Sequence, residues 1–187
     1  MGIFSSKYPF TPILKYIPSR YGNLKEWQKT NQRLVYQFMN GQNDEKAIIQ
    51  FVNAINNIIM GNPENWVVTF VPAATKVRHI QRYGDLFFRL TNYLPCKVSV
   101  EALGGENRIP QYYQSSKRRM VLINNPLIEG KHVILIDDVI CTGKTFRFAG
   151  DCLKESGALS VHGVIYAMTI HSTKLPVKNK RKPMRKT

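Results

Sequence analysis

Apolar positions along the chain follow a helical spacing first and a strand spacing later. Between Asp44 and Met60, Ile48, Phe51, Val52, Ile55, Ile58 and Ile59 recur three and four apart, which puts them on one stripe of a helix. Asn43 or Asp44 can cap its start, and Gly61 can close its end. Asn23 to Asn40 has a looser version of the pattern, with Leu24, Trp27, Leu34, Tyr36 and Phe38 among its apolar positions and Gly41 as a stop. The first 22 residues set Pro9, Pro12 and Pro18 among aromatic side chains, which predicts an extended, packed arm.

The pattern changes at Trp66. Trp66 to Val71 is a short β-branched run ending at Pro72, the mark of a buried strand. Val77 to Leu94 returns to helical spacing through Ile80, Tyr83, Phe87, Leu90 and Leu94. Lys97 to Ala102 reads as a strand, Gly104 to Ile109 as a polar loop, and Gln111 to Met120 as a basic helical segment. His132 to Ile136 is an apolar strand, Phe146 to Glu155 a helix, and Val161 to Ile170 a final strand. Strands alternating with helices in this way predict an α/β fold, a parallel sheet flanked by helices on both faces. Residues 1–65 then form an N-terminal arm and two helices, packed on the core or forming a hood, and residues 66–171 form the core.

Charge adds to this picture. Of 187 residues, 27 are Lys or Arg and 12 are Asp or Glu, a net charge of +15. Seven of the basic residues (Lys174, Lys178, Lys180, Arg181, Lys182, Arg185 and Lys186) fall after Ser172, where there is no acid. That tail, residues 172–187, is expected to be disordered and is a candidate contact for nucleic acid. The rest of the chain is still basic, which favours polyanionic ligands such as phosphates. No apolar run nears the roughly 20 residues of a membrane span, so no membrane association is expected. Met1 to Phe10 has no basic segment followed by an apolar one, so no secretory signal is expected. Three cysteines, Cys96, Cys141 and Cys152, make no CxxC pair, which argues against a disulfide framework or zinc site and for a reducing cytoplasm. Exposed aromatics in the first 22 residues make a homodimer an open expectation.

The candidate chemistry lies in Val133 to Thr145, VILIDDVICTGKT. An apolar strand ends in two adjacent carboxylates, turns through a loop containing Thr142, Gly143 and Thr145, and enters a helix. Ligands of open parallel sheets bind at the carboxyl ends of strands. A glycine-containing loop there lets backbone N–H groups converge on a phosphate, and the helix start adds its positive dipole end. The carboxylates repel phosphate, yet they accept hydrogen bonds from sugar hydroxyls or hold a divalent metal through its water shell. Gly143-Lys144-Thr145 also resembles the end of a P-loop, but the glycine needed five positions before Gly143 is Asp138, so that motif fails. The bland alternative is an ordinary strand, turn and helix with solvated acids.

The same stretch resembles the 5-phosphoribosyl-1-pyrophosphate (PRPP) signature of type I phosphoribosyltransferases. On that resemblance Asp137 and Asp138 are the catalytic acids that hold the ribose hydroxyls and, indirectly, Mg²⁺. Cys141, Thr142, Gly143, Lys144 and Thr145 form the 5-phosphate loop, with Cys141 in place of the usual Thr, Ser or Ala. LKESGA, Leu153 to Ala158, looks like the helix end and turn that follow the signature. Ala73, Ala74, Thr75 and Lys76, with Arg78 and Arg82, take the place of the pyrophosphate-binding loop. Pro72, Arg82 and Tyr83, then Gln111 and Arg118 or Arg119, are similar in order to the ComF-like branch, without its N-terminal zinc ribbon. The resemblance implies transfer of phosphoribose from PRPP with Mg²⁺ to a nitrogenous base or amine. Lys117 to Arg119 would add charge near pyrophosphate, and Gly104 to Pro110 would form a mobile cover. It also admits a non-catalytic PRPP- or nucleotide-binding regulator or competence (DNA uptake) protein that contacts nucleic acid. His79, His132, His162 and His171 are scattered, and none is marked as a general base.

Overall fold

The computed structural model describes residues 6–18, 21, 24–100, 103–105, 120–122 and 125–170. Five parallel strands form the central sheet: β1 (Phe10–Tyr16), β2 (Trp66–Phe70), β3 (Lys97–Val98), β6 (His132–Ile140) and β7 (Ser160–Thr169). Their order is β1-β7-β6-β2-β3. Leu103–Gly105 (β4) and Met120–Leu122 (β5) pair separately as an antiparallel ribbon. The α/β class expected from the alternating elements is the class observed.

Two apolar layers enclose the sheet. On one face α1 (Glu26–Met39), α2 (Glu45–Asn56) and α3 (Lys76–Tyr93) bury Phe38, Phe51, Ile55, Tyr83 and Leu90 against Val68, Phe70, Ile134, Ile136 and Tyr166. On the other, the short α4 (Asn125–Ile128) and α5 (Lys144–Glu155) bury Ile128, Phe146 and Leu153 against Val67, Val133, Leu135 and Ile165. Every residue of β2 is buried, as a strand covered on both faces requires. Tyr166 lies 4.2 Å from Phe38 and 5.8 Å from Phe51, ring centre to ring centre, in a stacked group. Burying each such side chain contributes roughly 1.5–3 kcal/mol.

Several elements depart from the sequence expectation. The proline-rich arm contributes β1, an edge strand with Phe10 opposite Gly163 and Tyr16 opposite Thr169. Pro12 is tolerated because an edge strand needs N–H donors on one side only. The first helix buries Gln28, Val35 and Phe38, whereas Trp27 and Tyr36 are exposed. The second is capped by Asp44, whose carboxylate accepts from Ala47 N–H at 2.8 Å, and it ends at Asn56, before Gly61. Of the strand expected over 97–102, Lys97 and Val98 pair with β2 among the described residues, with Ser99 N–H adding one bond to the Val68 carbonyl, and residues 101 and 102 lie outside them. Gly104 and Gly105 lie in β4 where a loop was expected, and Met120 opens β5 where a helix was expected to end. Residues 106–119 and the basic tail lie outside the described residues, and with them Gln111, Lys117, Arg118 and Arg119. Among the described residues no helix is long and apolar enough to cross a membrane.

Candidate functional site

The chain leaves β2 through α3 toward β3 and leaves β6 through α5 toward β7, in opposite directions along the sheet. Connections that diverge like this open a crevice at the carboxyl ends of the two strands between them. β2 ends at Phe70, opposite Ile136, and Val71 N–H still bonds the Ile136 carbonyl at 2.8 Å. Asp137 and Asp138 are therefore the first residues of β6 to run past the pairing with β2.

Strand alternation places the two acids differently. Ile134 and Ile136 pack under α3, and Asp138 shares their parity; Val133 and Leu135 pack under α5, and Asp137 shares theirs. Asp138 pairs with Arg82 of α3, and its Oδ1 accepts from Val139 N–H at 2.6 Å. Asp137 is buried, and its Oδ1 accepts from Asp138 N–H at 2.9 Å. Burial first, and then the charge and hydrogen bonding of Asp138, hold the Asp137 carboxyl well above the usual carboxylate range. Two adjacent carboxyls in one crevice do not both ionise easily unless a cation or hydroxyl donors reach them.

Beyond the acids the strand ends at Ile140, Cys141 and Thr142 are exposed, and Gly143 turns the chain with φ 66° and ψ 5°. That left-handed turn favours glycine because a Cβ there meets the following carbonyl. Gly143 is the N-cap of α5, and its carbonyl takes the Arg147 N–H at 2.8 Å. Lys144 and Thr145 form the first turn of α5, two residues earlier than expected. Helix-start amides without intrahelical partners thus follow directly on the paired acids.

Across the crevice, Ala73 and Ala74 are half-buried, and Thr75 caps α3 by accepting from Arg78 N–H at 3.2 Å. Lys76 and Arg78 are exposed on the first turn of α3. Arg82 lies one turn beyond Arg78 on the same helix face. Arg82 also donates from Nε to the Met39 carbonyl at 3.4 Å, so the turn between α1 and α2 borders the crevice. Arg82 and the two acids are thereby brought together; Lys76 and Arg78 stand nearer the rim.

Two residues here take on roles beyond those read from the sequence, where Tyr83 marked the helical stripe and the ComF-like order and His79 was one of four scattered histidines. Tyr83 is fully buried, with the Arg82 guanidinium carbon 5.8 Å from its ring centre. Its hydroxyl has no hydrogen-bond partner of good geometry among the described residues. Burial, followed by the charges of Asp138 and Asp137, keeps this phenol protonated, with its pKa well above the ordinary value. His79 joins the loop before α3 to the segment after β3; no spacing in the sequence marks either role. For a metal, the described residues hold no group of three or more His, Cys, Asp or Glu able to bind one. Asp137 and Asp138 offer hard oxygen donors, which suits Mg²⁺, an ion that keeps much of its water and draws further ligands from phosphates.

A family model described as a phosphoribosyl transferase domain matches residues 80–184, more than half of the chain. Among solved structures, the chain is similar to a Bacillus anthracis hypoxanthine-guanine phosphoribosyltransferase at 17% identity and a TM-score of 0.48, over 77% of each chain. It is similar to a Staphylococcus aureus hypoxanthine phosphoribosyltransferase at 15% identity and a TM-score of 0.46, over 74% of this chain and 76% of that one. A B. subtilis glutamine PRPP amidotransferase matches at 17% identity and a TM-score of 0.40, over 70% of this chain and 30% of that one. No curated protein matches.

Proposed function

Since the chain belongs to the phosphoribosyl transferase domain family, we propose that it binds PRPP with Mg²⁺ and transfers phosphoribose to a nitrogenous acceptor, releasing pyrophosphate. One observation carries this reading. Two adjacent carboxyls stand near the end of β6 in the crevice beside β2, and within five residues the chain turns at Gly143 into the start of α5. A sugar phosphate needs that combination, acceptors for its hydroxyls next to amide donors for its ester.

In this reaction the bond from the anomeric carbon to the pyrophosphate oxygen breaks and a carbon–nitrogen bond forms. Positive charge develops on the sugar and negative charge on the leaving group, so positioning and charge neutralisation do most of the work. Asp137 and Asp138 accept from the ribose hydroxyls. Cys141 to Thr145 hold the 5-phosphate through loop and helix-start amides and the threonine hydroxyls. Ala73 to Lys76, with Arg78 and Arg82, face the pyrophosphate. Mg²⁺, held through water by Asp137 and Asp138, would neutralise charge on the leaving group. Arg82 sits where it can exchange Asp138 for pyrophosphate as ligand arrives.

The position of the α1–α2 turn against Arg82 supports residues 1–65 as the hood over the acceptor. The order Pro72, Arg82, Tyr83 supports a place in the ComF-like branch. The test is titration of PRPP with Mg²⁺, then pyrophosphate release against a panel of purines, pyrimidines, orotate and amines. Turnover with one acceptor is the expected result. The double variant Asp137→Asn/Asp138→Asn is expected to fold and lose PRPP binding; unchanged affinity there removes the assignment of the acids.

A further inference from the structure

We infer that His79 is a positioning residue for the loop between β2 and α3, setting that loop for the anion it receives. The inference rests on the proposed role of Ala73 to Lys76 at pyrophosphate and adds the side chain that shapes them.

The loop runs from Val71 to Thr75 and is fixed at both ends. Val71 N–H bonds the Ile136 carbonyl at 2.8 Å, and Thr75 Oγ1 accepts from Arg78 N–H at 3.2 Å. Between them, Pro72 has no N–H to offer, and the two alanines have no side chain with which to anchor themselves. The fixed point in the middle is His79, whose Nδ1 accepts from Ala73 N–H at 3.3 Å. On its other side Nε2 lies 2.9 Å from the Val100 carbonyl.

These two bonds determine the form of the ring. A carbonyl oxygen only accepts, so Nε2 carries the proton; an amide N–H only donates, so Nδ1 presents its lone pair. A single neutral tautomer satisfies both. The ring is held edge-on against Tyr83, 5.1 Å between centres, and against Phe70, at 6.4 Å. One side chain therefore ties the exit of β2, the body of α3 and the segment leaving β3. Backbone amides bind an anion well only when their directions are set beforehand, because turning them at the moment of binding costs affinity. His79 supplies that setting without touching the ligand.

Two near-isosteric substitutions separate the two bonds. His79→Asn places an amide oxygen where Nδ1 was and keeps the acceptor for Ala73. His79→Gln places an amide nitrogen near Nε2, keeping the donor to Val100 while losing that acceptor. Both variants are first compared with the parent by thermal unfolding. Binding of inorganic pyrophosphate in magnesium buffer is then measured by calorimetry, with hydrogen exchange at the Ala73 amide as a ligand-free readout. The expected result is a roughly fivefold loss of pyrophosphate affinity and faster Ala73 exchange in His79→Gln, the size of one hydrogen bond. His79→Asn should stay within about twofold of the parent in both. Equal losses in the two variants overturn the inference in favour of general packing. Unchanged or tighter binding in His79→Gln overturns it as well. If the parent chain itself fails to bind pyrophosphate, the pyrophosphate reading of the loop is what fails, and this inference falls with it.

Discussion

Arg82 of α3 and Asp138 of β6 form an ion pair at the crevice between β2 and β6, with side chains only 17% and 14% exposed. Both have given up most of their water, so each depends on the other. Removing one partner strands the other charge, and removing both does not.

The first prediction follows from that pairing. Arg82→Met should lower unfolding free energy by about 2 kcal/mol, because Asp138 keeps its charge and loses its cation. The double variant Arg82→Met/Asp138→Asn should recover more than half of the loss. Urea unfolding of the parent, Arg82→Met, Asp138→Asn and the double variant gives the coupling energy; a value near zero contradicts the pair.

Asp137 gives a pH dependence with a definite sign. Its carboxyl is raised well above the usual range by burial and by Asp138. The folded chain therefore holds this proton at pH values where the unfolded chain has released it. Stability falls as pH rises from the ordinary carboxylate range, near 4, up through the raised value, and the loss is complete above it. Asp137→Asn removes the titration. The variant should unfold at a higher temperature than the parent, with a gap that widens as pH rises through that window. Melting curves at a series of pH values provide the check, and a gap that shrinks with rising pH contradicts the assignment.

Tyr83 carries a buried hydroxyl with no well-formed hydrogen bond among the described residues. The Arg82 guanidinium beside it returns only part of the desolvation cost of such a group. Tyr83→Phe should leave the stability of the ligand-free protein unchanged or raise it by up to about 1 kcal/mol. A loss above that size, measured by urea unfolding, would mean that the hydroxyl holds Arg82 or an acid in place.

Gly41 joins α1 to α2 with φ 75°, and an added Cβ would stand 1.9 Å from the Gln81 carbonyl oxygen. The obstacle is α3 backbone, which cannot rotate away. Gly41→Ala should cost about 3 kcal/mol by pushing the turn off α3. It should also loosen the Arg82 contact with Met39. Chemical denaturation measures the first effect, and PRPP titration of the folded fraction measures the second.

Much of this molecule is written in local pattern. The stripe through Ile48, Phe51 and Ile55 specifies a helix wherever it packs, and the run Trp66 to Phe70 has few alternatives to a buried strand. The acids, glycine and threonines after Ile136 mark a strand, turn and helix start by their order alone, since dihedral preference and amide geometry act within a few residues. Pairing and packing required the folded chain. Pro9 and Pro12 disguised β1, because its place depends on a partner strand some 150 residues away. The exposure of Trp27 and Tyr36 depends on which side of α1 meets the sheet. Arg82 beside Asp138, and His79 between Ala73 and Val100, are relations among segments distant in sequence, and helical or strand period carries no record of them. Short-range preference chose the elements; burial and the need to satisfy polar groups away from water chose their neighbours.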